Sequence, residues 1–217
     1  MSSALAVTLV AACGMAAEIY YRDRIERCVA AQAEQELGSS VTVGFGARPL
    51  LPAAIDHHIP SMTLDTENAA FGPAVDMQAQ ANLKDVDLAD KSSGGASVTS
   101  SRTTATWSDT AILRTLHGLA SEVTSHPDTN SITMQLLTGL AAVELHPYVA
   151  DGKIQIEIVS SRGVPAGMAD RILGVVAQSL QDYPLNQQPT DITVTPAGLR
   201  IQLAGGFAEL PGSTGSC

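Results

Sequence analysis

Apolar and polar positions alternate along most of this chain, and helical spacing interrupts the alternation three times. From Glu18 to Leu37 the residues Tyr21, Ile25, Cys28, Val29, Gln32, Ala33 and Leu37 recur at helical intervals, and Gly38 is a natural stop. Strands then dominate. "SVTVGFG" puts Val41, Val43 and Phe45 on one face, and "SMTLDTE" does the same with Met62 and Leu64. "VDMQAQANLKDVDLAD" keeps Val75, Met77, Ala79, Ala81 and Leu83 in phase, then slips to Val86 and Leu88. That slip predicts a bulge near Lys84 or Asp85. After an SSGGAS turn, "VTSSRTTATW" is a long threonine-rich strand.

Ser108 is placed to cap a second helix, "DTAILRTLHGLAS", with Ile112, Leu116 and Leu119 on one stripe. "SITMQLL", "LAAVELHPYV" and "KIQIEIVS" read as strands, the last two joined by a tight turn at Asp151-Gly152. A third helix, "GMADRILGVVAQSLQDYP", is stopped by Pro184 and is apolar over a wide arc: Met168, Ile172, Leu173, Val175, Val176 and Leu180. A hairpin, "TDITVTPAGLRIQLAGG", turns at Pro196-Ala197-Gly198. The order is helix, four strands, helix, three strands, helix, two strands. Strand following strand through short turns predicts a largely antiparallel sheet and the α+β class.

Composition narrows the function. Among 217 residues only 16% are charged and the net charge is −10. Lysine occurs only at 84, 91 and 153. Phosphate neutralisation needs clustered Lys and Arg, so nucleic acid is excluded as a partner, and broad electrostatic adhesion to anionic lipid is disfavoured. If the protein handles lipid, it does so through apolar surface. Residues 1–17, MSSALAVTLVAACGMAA, are uncharged, which suits the apolar core of an export signal or a marginal membrane anchor. The basic residues that open a typical signal are missing from them. Val10-Ala11-Ala12-Cys13 has the pattern of a lipidation site, or Cys13 is simply a cysteine within an apolar signal. Either way the domain would be exported, and a disulfide between Cys28 and Cys217 would then tie down the Gly/Ser tail of residues 212–217. The body, residues 18–211, reads as one domain.

Catalytic signatures are sparse. No G-x-S-x-G elbow and no phosphate-cradling glycine loop occurs. His57 and His58 are adjacent, with Asp56, Asp65 and Glu67 nearby, but metalloprotease histidines sit one helical turn apart. With Pro60 following, "IDHHIPSMTLDT" reads as a turn into a strand, and neither a metal nor a cofactor is expected. His117, His126 and His146 are scattered.

Three stretches carry a resemblance: "YRDRIERCVAAQAEQELGSSVTVGFGARPLL", "FGPAVDMQAQANLKDVDLAD" and "YPLNQQPTDITVTPAGLRIQLAGG". Over residues 20–211 the chain resembles the LmeA-type phospholipid-binding proteins of the actinobacterial cell envelope. The resemblance implies a periplasmic, membrane-associated, non-enzymatic protein. It would bind phospholipids, phosphatidylinositol among them, and support lipomannan and related glycolipid synthesis alongside envelope enzymes. It implies a fold similar to tubular lipid-binding domains, a curved antiparallel sheet wrapped on helices around a hydrophobic groove. The family pattern is structural and transfers no ligand residue.

The residues themselves suggest where such a groove would lie. Met168, Ile172, Val175 and Val176 on the third helix would form one wall, and Met77, Leu83, Met134, Leu136, Val143 and Leu145 on the strands the other. Two rival functions are an envelope lipid or glycan hydrolase using His57 and His58, and a ligand-free scaffold for a membrane glycosyltransferase.

Overall fold

Long runs of alternating residues need long partners, and in the computed structural model they find them in two antiparallel sheets. The structure describes residues 2–37, 39–71, 74–88, 96–164, 167–180 and 183–210. The first sheet has the order β1-β2-β3-β4-β10-β9, with β11 also paired to β4. Its strands are β1 (Val41–Gly44), β2 (His58–Phe71), β3 (Ala74–Leu88), β4 (Ala96–Ser108), β9 (Gln188–Thr195), β10 (Gly198–Gly205) and β11 (Ala208–Leu210). The second has the order β5-β6-β7-β8, from Glu122–His126, Ser131–Leu136, Ala141–Ala150 and Lys153–Arg162. The helices are α1 (Ser2–Leu37), α2 (Ala53–Asp56), α3 (Asp109–Thr115) and α4 (Met168–Ser179). The class is α+β with antiparallel pairing, as the strand-after-strand order implies. The second group holds four strands and the last three, because β5 and β11 escape the alternation pattern.

Local chemistry sets the joints. Ser108 Oγ accepts the Ala111 amide at 3.2 Å and starts α3, which ends earlier than its apolar stripe suggests, at left-handed His117 and Gly118. Asp151 (φ 52) and Gly152 (φ 67) both take the left-handed conformation a two-residue hairpin demands. Asn130 locks the second sheet to the first: its Oδ1 accepts the Val194 amide at 2.7 Å and its Nδ2 donates to Pro147 O at 3.3 Å.

The predicted bulge takes a different form. Leu83 and Val86 are both buried, so the phase does change at Asp85, which has φ 51. Yet no register slips there: Met62 pairs with Leu83 and Ile59 with Val86, while Leu83 pairs with Ser101 and Val86 with Val98. All six residues are buried. Each of the three strands inserts its out-of-phase residues at the same level, with Pro60, Asp85 and Thr99 in one row. A bulge sets an extra residue in one strand only; here the neighbours shift together and the ladder survives.

One face of the first sheet carries two apolar clusters, one toward each end of its long strands. At one end Val43, Ile59, Met62, Leu83, Val86 and Val98 pack against Tyr21, Ile25 and Val29 of α1. At the other, Met77, Trp107, Leu199 and Ile201 pack with α3, α4 and the inner face of the second sheet. A polar seam lies between them. Gln187 Nε2 donates at 2.9 Å to both Ser101 Oγ and Thr103 Oγ1, and all three residues are buried.

Candidate functional site

The larger cluster surrounds a cavity lined only by apolar side chains. Helix α4 supplies Val176, Leu180 follows at its C-terminal end, and α3 supplies Ile112. The second sheet adds Ile132, Met134, Leu145, Pro147 and Ile156, and the first sheet adds Leu199. The cavity volume is about 10 Å³, about what a single water molecule needs and far below the roughly 300–1,000 Å³ usual for small-molecule sites. In this arrangement the space admits no acyl chain, and any lipid needs its walls to part. Helix α4 forms one wall. Gly167 (φ 77) precedes it without any side-chain cap hydrogen bond, and its residues Ile172 and Val176 are buried in the larger cluster. Just beyond it, Tyr183 donates to Leu180 O at 2.6 Å, and burial pushes its phenol pKa well up.

Of the residues chosen from sequence, Met134, Leu145 and Val176 line the cavity. Met77, Leu136, Val143 and Ile172 lie in the same cluster, with Met168 and Val175 half-buried against it. Leu83 is not brought to this place; it belongs to the cluster under α1. The alternation of "SITMQLL" already placed Ile132 beside Met134. Leu180 lies on the apolar arc predicted for the third helix, whereas Pro147 and Leu199 reach the cavity through pairings between distant segments, which no local pattern encodes.

His57 and His58 sit at the far end of the first sheet. His57 is left-handed (φ 57) and closes α2, and His58 opens β2, so the segment is a turn into a strand. His58 Nδ1 lies 2.7 Å from Asp87 Oδ1, its Nε2 is 3.7 Å from Asp85 Oδ1, and its amide donates to Asp56 Oδ1 at 3.1 Å. The hydrogen bond to Asp87 is the main reason its pKa is raised; the charges of Asp87, Asp85 and Asp56 add to it. Among the described residues no group of three or more His, Cys, Asp or Glu is arranged to hold a metal. Cys28 is disulfide-bonded, while Cys217 and the tail lie outside the described residues. No helix among the described residues is long and apolar enough to cross a membrane.

Fold and site together define an antiparallel α+β domain with a small pocket lined by apolar side chains. Residues 14–204 match the LmeA-like phospholipid-binding family, most of the chain, and the protein belongs to that family. No curated protein matches. Among solved structures, that of a loop C-sheet serpin polymer is similar at 9% identity over 64% of this chain, with a TM-score of 0.10. The match spans 46% of the serpin chain, and a score so low says nothing about the fold.

Proposed function

We propose that the protein is a non-enzymatic phospholipid carrier or sensor that takes an acyl chain between α4 and the second sheet. The single observation behind this reading is the all-apolar cavity inside a member of a phospholipid-binding family. The two clusters along one sheet face support a groove of the tubular lipid-binding kind, with α4 covering one end. Leu137 and Leu140, 48% and 80% exposed at the β6–β7 tip, would touch a membrane surface beside the strands that line the cavity. The disulfide at Cys28 supports an exported, envelope-side protein, since such bonds persist in oxidising compartments. Phosphatidylinositol as ligand and a supporting role in lipomannan synthesis follow from the family resemblance. A hydrolase is disfavoured because the His58 ring is engaged by Asp87 and Asp85 at the exposed sheet end, remote from the cavity.

The test is native mass spectrometry of protein incubated with phospholipid vesicles. Wild type retains about one lipid, and Val176→Phe, which fills the cavity without charge, retains much less while keeping its circular dichroism. A folded variant with undiminished lipid would remove α4 from the site.

A further inference from the structure

Among the described residues, two buried polar side-chain atoms lack any hydrogen-bond partner, Trp107 Nε1 and Gln187 Oε1. They differ in what they imply. Gln187 is anchored at its other end, where Nε2 donates to Ser101 Oγ and Thr103 Oγ1, and it sits on the polar seam. Trp107 has no second polar end. Its indole N–H is only a donor, and the residue is 0% exposed inside the larger apolar cluster. Its cross-strand partner is Leu199, which lines the cavity, and Ile112 of the adjoining α3 lines it as well. A buried indole normally finds an acceptor. This one has none among the described residues; it does not itself line the cavity, but its strand partner Leu199 does, and the side chains lining that cavity carry only carbon and sulfur.

We propose that Trp107 is the polar anchor of the bound lipid: its indole N–H donates to an ester carbonyl oxygen of an acyl chain lodged in the cavity. This rests on the phospholipid reading above. The ligand chemistry follows from the donor. Within the apolar part of a diacyl phospholipid, the only strong acceptors are the ester carbonyls; the phosphate keeps its water. The site therefore reads the linkage of the chain as well as its hydrocarbon, and it discriminates against an ether-linked lipid, which has the same shape but no carbonyl.

The experiment uses wild-type protein and vesicles holding equimolar dioleoyl phosphatidylcholine and its di-O-oleyl ether analogue. The headgroup is neutral, so the acidic protein is not repelled. Native mass spectrometry counts what is bound, and the ester lipid is expected in roughly five- to tenfold excess, the worth of one buried hydrogen bond. Trp107 is the single tryptophan, so one 15N-indole resonance reports the bond directly. It should move downfield with ester lipid and stay in place with ether lipid. Trp107→Phe, if it folds, should bind both lipids equally. Equal binding by wild type, or an indole resonance blind to the linkage, overturns the anchor and leaves the phospholipid reading standing. Failure to bind either lipid overturns both.

Discussion

The Glu18 carboxylate accepts the backbone amide of Leu50 at 2.6 Å, and its other oxygen accepts that of Leu51 at 2.9 Å. Arg22, one turn on, donates to Gly46 O and Arg48 O at 2.9 and 2.7 Å. The charged belt of α1 thus holds the loop before α2 through its main chain. The Leu50 hydrogen bond is the leading cause that keeps the Glu18 pKa below its ordinary 4.5. A depressed carboxylate pKa stabilises the fold above the unfolded value, and that contribution fades as pH falls through the folded one. Glu18→Gln should therefore melt a few degrees below wild type at pH 7, with the gap closing below about pH 4.5. Thermal melts across that range check it; a gap independent of pH would mean that the charge is irrelevant.

His58 has the opposite sign. Its pKa is raised above 6.5, first by the hydrogen bond to Asp87 and then by the surrounding carboxylates. Its stabilisation is complete below the unfolded pKa and is lost as pH rises through the folded one. Wild type should exceed His58→Gln in melting temperature at pH 5.5, and the difference should shrink by pH 8.5. Bound lipid should be the same in both proteins at either pH. Loss of lipid in His58→Gln would bring the histidine back into the function.

Gly198 begins β10 with φ 136, and a Cβ there would lie 2.2 Å from Trp107 O. Backbone cannot yield as a flexible side chain can. Gly198→Ala should cost about 2–4 kcal/mol in urea unfolding. A loss below about 1 kcal/mol would show that the turn over Trp107 relaxes freely.

Peptide mapping under non-reducing conditions should join Cys28 to Cys217. The closed loop is long, so Cys28→Ser should destabilise by on the order of 4–5 kcal/mol as an upper figure. Two free thiols in exported protein would refute the pairing.

Leu140→Glu removes an apolar contact from the β6–β7 tip without touching the cavity. Vesicle flotation should weaken by about tenfold or more, given roughly 1.5–3 kcal/mol for a buried leucine. Unchanged flotation would place the membrane-facing surface elsewhere.

The sequence made the long strands legible because their alternation is long enough to exclude a helix, and Asp151-Gly152 could hardly be anything but a hairpin turn. β5 escaped because Val123 is its one buried residue, and β11 because three residues are too few to show an alternation. The phase slip at Leu83 and Val86 was visible, but its form depended on Pro60 and Thr99 in other strands. The site was half legible. Met134, Leu145 and Val176 follow from periodicity, whereas Leu199 and Pro147 arrive through pairing between distant strands. Trp107 could be seen as a strand residue, but a missing hydrogen-bond partner is a property of three dimensions.

The row of Pro60, Asp85 and Thr99 constrains how this chain can vary. A residue added to β3 alone would turn every side chain beyond it to the opposite face, setting Leu83 or Val86 in water. Matching additions in β2, β3 and β4 at one level would leave both clusters buried. Length changes in relatives of this protein should accordingly fall in the turns, or appear in these three strands as a set.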